Sequence, residues 1–253
     1  MSKVITVAGM PQSGSTLLFN ILATIMSEFK FPTSALLFGP NAYSRVINAE
    51  NLRAYKEGPA PDHAVIMVKE HHFEPELAEL SEFIFITKRD IRDSIASRRR
   101  RGKPLYSKGK RSRDLHKYDE KSFAGFTAWC DYLTQDCYED WLSWQKANNG
   151  VMYLFSYEHY QLSSPEERAE IIQSMIDFLG LPAKLDTAVI ANAVTPMALT
   201  DPINKKWAKE YFFKKDMITN SGAILAYQDQ LSTEEIDYIE SNYGEHILNE
   251  HCI

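Results

Sequence analysis

The segment Val4 to Leu18, VITVAGMPQSGSTLL, limits the possible folds more than any other stretch of the chain. Val4 to Ala8 is a short, uniformly apolar run and reads as a buried strand. Gly9-Met10-Pro11-Gln12-Ser13-Gly14 is a turn rich in small residues. Ser15 and Thr16 then open an apolar helix through Leu17, Leu18, Ile21, Leu22 and Ile25. A small-residue turn between a strand and a helix aims backbone N–H groups and the positive end of a helix dipole at one point. That point suits a phosphate or a similar anion. The bland alternative is a Ser/Gly turn that binds nothing.

Gly9 and Gly14 have the spacing of the G-x-x-x-x-G-K-[ST] nucleotide-triphosphate loop, but Ser15 stands where its lysine should be. Without that lysine the β- and γ-phosphates lose their main cationic clamp.

Further along, Lys30 to Pro40 reads as a loop broken by Pro32, Gly39 and Pro40, and Asn41 to Lys56 as a helix. Two more apolar runs, Ala64 to Val68 and Phe83 to Thr87, read as buried strands, and Val151 to Phe155 as a fourth. Helices are expected over Glu74–Leu80, Ile91–Arg100, Glu120–Ala147 and Asp186–Val194. Ser164-Pro165-Glu166-Glu167 and Ser232-Thr233-Glu234-Glu235 are capping boxes that start two more. Gly102 to Tyr118 is polar and basic and reads as a lid. Uniformly apolar strands alternating with helices imply a single α/β domain over residues 1–253, with a central parallel sheet flanked by helices. In such sheets ligands bind beyond the carboxyl ends of the strands.

Two polar clusters join the first loop there. Lys69-Glu70-His71-His72 ends the second apolar strand. A histidine at that position could take a proton from an acceptor hydroxyl, and a lysine could stabilise negative charge on a group in transfer. The second cluster holds Arg89 at a strand end and Ser97 on the helix that follows. Arg89 can fork onto a phosphate and Ser97 can add a hydroxyl. The plainer readings are a salt bridge from Arg89 to Asp90 or Asp93, and a surface position for Ser97.

Pro11-Gln12-Ser13-Gly14-Ser15-Thr16 has the form P-[KRQ]-S-G-[ST]-T and resembles the 5′-phosphosulfate loop of sulfotransferases. Val68-Lys69-Glu70-His71 resembles that family's K-T-H segment. Arg89-Asp90-Ile91-Arg92-Asp93-Ser94-Ile95-Ala96-Ser97 resembles its R-[ND]-P-[RK]-D…S segment, and Leu154-Phe155-Ser156-Tyr157-Glu158 its L-x-Y-E-D segment. Ser221-Gly222 through Ser232 resembles its C-terminal R-K-G-x-x-G-D-W-x-x-x-[LF]-[ST] segment. The segments arrive in family order across nearly the whole chain.

The resemblance implies an enzyme using 3′-phosphoadenosine 5′-phosphosulfate (PAPS) as sulfuryl donor, with 3′,5′-adenosine bisphosphate (PAP) as product. It implies a small-molecule acceptor sulfated on a hydroxyl or amine. His71 would be the general base and Lys69 a stabiliser of the sulfuryl oxygens. Pro11 to Thr16 would hold the 5′-phosphosulfate, Arg89 and Ser97 the 3′-phosphate, and Tyr157 would lie near the adenine. Ser221 and Gly222 would also bind the cofactor, with Lys214, Lys215 or the basic lid as other sources of a 3′-phosphate contact. Three positions depart from the pattern: Gln12 replaces a common lysine, Asn220-Ser221 the usual Arg-Lys, and Tyr227 the tryptophan.

Composition narrows the partners. The chain has 28 lysines and arginines against 34 acids, a net charge of −6, which argues against a general nucleic-acid binder. No apolar run approaches the ~20 residues of a membrane helix, and MSKVITVAG has no signal-peptide shape. Cys130, Cys137 and Cys252 form no C-x-x-C pair, so free thiols in a cytoplasmic protein are expected. His71-His72 has no third ligand nearby in sequence, and no metal is expected. Two other readings stay open: a small-molecule or nucleotide kinase, and a non-catalytic adenosine-bisphosphate-binding module.

Overall fold

A computed structural model describes residues 3–31, 33–38, 46–58, 65–100, 122–147, 152–182, 186–193, 224–244 and 247. Its strands are β1 (Lys3–Gly9), β2 (Thr33–Phe38), β3 (Val46–Ile47), β4 (Val65–Glu70), β5 (Phe83–Lys88) and β6 (Met152–Ser156). They form one sheet in the order β3-β2-β4-β1-β5-β6, with every neighbouring pair parallel. The chain leaves β1, builds outward on one side, returns to β4, and then crosses to β5 on the other side. The crevice where the order reverses therefore opens at the carboxyl end of β1.

The helices are α1 (Ser15–Glu28), α2 (Ala49–Glu57), α3 (Pro75–Leu80), α4 (Ile91–Arg100), α5 (Phe123–Ala147), α6 (Tyr157–Leu162), α7 (Pro165–Phe178), α8 (Thr187–Ala193), α9 (Tyr227–Gln230) and α10 (Thr233–Tyr243). Side chains alternate across each strand, and both faces of this sheet are covered. Val4, Ala8, Ile66, Val68, Ile84 and Ile86 pack with residues of α3, α4, α5 and α10. Ile5, Val7, Met67 and Phe85 pack with residues of α1, α7 and α8. This is why the three central strands read as continuous apolar runs.

β6 falls on the expected Val151–Phe155 run, while β2 and β3 differ from the sequence reading. Thr33–Phe38 is a strand where a loop is expected, because parallel pairing with Val65 to Lys69 satisfies a short segment bounded by chain breakers. Val46–Ile47 is a strand inside the expected helix. That helix starts only at Ala49, where the Asn48 side chain accepts the Asn51 N–H at 2.8 Å. Both capping boxes form as expected, at Ser164 and Ser232. Cys130 is a buried free thiol, while Cys137 and Cys252 carry no described side chain. Among the described residues no helix is long and apolar enough to cross a membrane.

Candidate active site

The loop after β1 is held rigid by its own contacts. Ser13 is fully buried; its N–H donates to the Met10 carbonyl at 3.1 Å and its hydroxyl to the same oxygen at 2.6 Å. The Thr87 hydroxyl at the end of β5 lies 2.5 Å from the Ser13 hydroxyl. A Cβ on Gly9 would fall 1.9 Å from that Thr87 oxygen, so this packing tolerates no side chain there. Gly14 sits at φ +90°, and a Cβ on it would come within 2.2 Å of the Tyr157 ring. Only glycine accepts both the left-handed backbone and that ring. Gln12 is also left-handed, at φ 68°, an uncommon state for a side chain of its size.

Ser13 spends its N–H inside the turn, on the Met10 carbonyl. Helix geometry leaves the N–H groups of Ser15 and Thr16 without intrahelical partners, at the positive end of α1. The first helical bond runs from the Leu18 N–H to the Gly14 carbonyl at 3.1 Å.

β4 and β5 flank β1, so their ends meet this loop. Lys69 is buried, and its Nζ donates to the Thr16 hydroxyl at 2.7 Å. His71 Nδ1 lies 2.7 Å from the Gly9 carbonyl. A carbonyl only accepts, so Nδ1 carries the proton and Nε2 is the basic nitrogen of the neutral ring. Glu70 fixes the turn by accepting the His71 and His72 N–H groups at 2.8 and 3.0 Å. Burial pushes the Glu70 carboxyl above its ordinary value. His72 turns to α5 instead, with Nδ1 at 2.9 Å from Asp140, while Trp144 donates to its carbonyl at 3.2 Å.

Arg89 is 4% exposed. It forms no salt bridge to Asp90 or Asp93 among the described contacts, since Arg92 takes Asp90 at 2.8 Å. Its Nη1 donates to the Gln12 carbonyl at 3.0 Å, and its guanidinium lies 4.4 Å from the centre of the Tyr157 ring. The closest carboxylate is Glu158, 3.9 Å from Nε and beyond hydrogen-bond reach. Nε and Nη2 are buried without a hydrogen-bond partner among the described residues. Orphaned guanidinium nitrogens are costly to bury, and an anionic ligand would satisfy both.

Ser97 is buried, not on the surface, one turn beyond Asp93 on the same face of α4. Asp93 in turn accepts the Leu225 and Tyr227 N–H groups at 2.8 and 3.2 Å. Arg92 stacks on Tyr227 at 4.3 Å and pairs with Glu240 at 2.7 Å. These contacts bring the C-terminal segment against α4. Ser221 and Gly222, and the lid from Gly102 to Tyr118, lie outside the described residues.

The first loop, Lys69, His71, Arg89 and Tyr157 thus converge at the carboxyl end of the sheet. Sequence reasoning assigned no role to Thr87, Asp93 or Glu158. The last two stand inside the motif segments already quoted, and that position was the available signal.

A model of the sulfotransferase domain family matches residues 2–247. Among solved structures, the fold is similar to mouse sulfotransferase SULT7A1 complexed with PAP, at 13% identity and a TM-score of 0.61, covering 98% of this chain and 86% of that one. It is also similar to retinol dehydratase in complex with androsterone and inactive cofactor PAP, at 12% identity and a TM-score of 0.60, covering 96% and 80%. No curated protein matches the sequence.

Proposed function

The chain belongs to the sulfotransferase family, and from that premise we propose that it transfers a sulfuryl group from PAPS to a hydroxyl or amine of a small-molecule acceptor. The observation that carries this reading is Arg89, buried over the Tyr157 ring beside a glycine-shaped loop, with two nitrogens that have no partner among the described residues. A 3′-phosphate is the ligand that such a fork matches. Ser97 adds a hydroxyl, and the segment of Ser221 and Gly222 is assigned to the cofactor by the family resemblance.

Bound PAPS supplies an activated sulfuryl group on a phosphate leaving group. The N–H groups at the start of α1 and the Thr16 hydroxyl hold the 5′-phosphosulfate. Lys69, already directed to Thr16, stabilises charge on the sulfuryl oxygens. His71, with Nδ1 tied to Gly9, takes the acceptor proton on Nε2 as the acceptor atom bonds to sulfur and the bond from sulfur to the 5′-phosphate oxygen breaks. Gln12 offers the leaving oxygen a neutral hydrogen bond in place of a lysine. Positioning and electrostatics carry most of the rate.

The test is turnover of radiolabelled PAPS over an acceptor panel, with mass spectrometry for sulfonate addition. Labelled product is the expected result. Tight PAP binding with no turnover on any acceptor would favour the non-catalytic module, and tight magnesium–ATP binding with phosphoryl transfer would favour the kinase.

A further inference from the structure

Glu158 sits directly after Tyr157 at the start of α6, 1% exposed. Its Oε1 accepts the Asp90 N–H at 3.0 Å and lies 3.9 Å from Arg89 Nε; its Oε2 is buried without a partner among the described residues. A half-satisfied buried carboxylate therefore stands beside Nε of the arginine, whose Nε and Nη2 have no hydrogen-bond partner among the described residues. We propose that Glu158 is a positioning residue for Arg89 that takes up a proton when the 3′-phosphate binds. The proposal rests on the assignment of Arg89 to the 3′-phosphate.

With the site free, an ionised Glu158 is the buried counter-charge nearest to Arg89. A phosphate dianion on Arg89 adds negative charge next to that carboxylate and claims the guanidinium. Two anions and one cation in a dry site are unfavourable, and one proton from solvent resolves the conflict by neutralising Glu158. The carboxyl is already poised for this, because burial, with a smaller push from the Asp90 charge, raises its pKa to about 7 in the free protein against the opposing pull of the Asp90 N–H, its own N–H and Arg89.

The other groups facing the cluster are accounted for. Asp90 is paired with Arg92. Asp93 is also raised by burial, while Arg89 and then two backbone N–H groups favour its anion, so any uptake left in Glu158→Gln would fall on Asp93. The Tyr157 phenol is raised by burial and stays neutral.

The sign follows from linkage. Binding that takes up a proton weakens as pH rises above the free-state value, by up to about tenfold per pH unit until the bound-state value is passed. Above about pH 7 the nucleotide phosphates are already dianionic, with second pKa values near 6, so they add no slope of their own.

The experiment is calorimetry of PAP and of 5′-AMP between about pH 7 and 9, in buffers of different ionisation enthalpy, on wild type and Glu158→Gln. Wild type should take up about half a proton with PAP near pH 7, rising toward one as pH increases, and much less with 5′-AMP. Glu158→Gln should bind PAP with little uptake and a flat pH profile, and above about pH 8 more tightly than wild type. Equal uptake in wild type and Glu158→Gln would overturn the proposal and leave the 3′-phosphate assignment standing. Failure of wild type to prefer PAP over 5′-AMP would overturn both. If Glu158→Gln does not fold, the wild-type slopes decide alone: equal pH slopes for the two nucleotides would refute the proposal.

Discussion

The two ends of the same central strands are built on opposite rules. At the amino ends, Ile5, Val65 and Phe83 meet Met26, Phe31, Leu179 and Leu181 around a cavity of about 140 Å³, with Lys3 at its edge over the Phe83 ring. At the carboxyl ends, Lys69, Arg89, Asp90, Arg92, Asp93 and Glu158 are each less than a tenth exposed. Buried charge costs stability unless it is fully paired. The amino end avoids that cost almost entirely. The carboxyl end accepts it and leaves Arg89 and Glu158 with groups unmet by the described residues. The contrast teaches where a ligand is energetically needed: where the fold alone does not finish its own hydrogen bonding.

If the contrast is real, changes at the carboxyl end alter function with little effect on stability, and changes at the amino end do the reverse. The largest expected effect is in His71→Ala. Turnover should fall by about 10²–10⁴, while calorimetry shows PAP binding nearly unchanged. Wild-type rates in His71→Ala together with a loss in His72→Ala would move the base to the histidine paired with Asp140.

Next in size, Arg89→Ala should weaken PAP by about tenfold to a hundredfold, from a charged contact worth roughly 1.5–3 kcal/mol. The loss for 5′-AMP should be slight. Equal losses in the two isotherms would take Arg89 away from the 3′-phosphate. The smallest effect sharpens the other side. Val65→Ile adds one methylene where the amino-end cavity has room, and thermal or denaturant unfolding should register a gain of at most about 0.8 kcal/mol. Initial rates should match wild type; a changed rate would show that the two ends are coupled.

The central strands were legible because covered faces demand unbroken apolar runs, as in Phe83 to Thr87. So was β6, as Val151 to Phe155, but β2 and β3 were not. Thr33 to Phe38 is short and bounded by Pro32 and Gly39-Pro40, and its strand bonds come from β4, which no local pattern reports. The same limit applies in the site. The meeting of the first loop with Lys69, His71 and Arg89 follows from placing strand ends together. The Ser13–Met10 bonds that remove one N–H from service depend on how the turn closes, which residue types alone do not give. The plain reading of Arg89 as a partner of Asp90 failed because Arg92, two residues on, has the better geometry.

The ties from α4 to the C-terminal segment also bear on how the molecule comes into being. Asp93 reaches Leu225 across 132 positions of sequence, and Arg92 reaches Glu240 across 148. Closing such long loops is slow, and synthesis delivers the N-terminal part first. The glycine loop and its strands emerge early from the ribosome, but the segment that closes on Arg92 and Asp93 of α4 waits for α9 and α10. A chain stalled before residue 240 would leave Arg92 short of one counter-charge, Glu240, with only Asp90 paired to it.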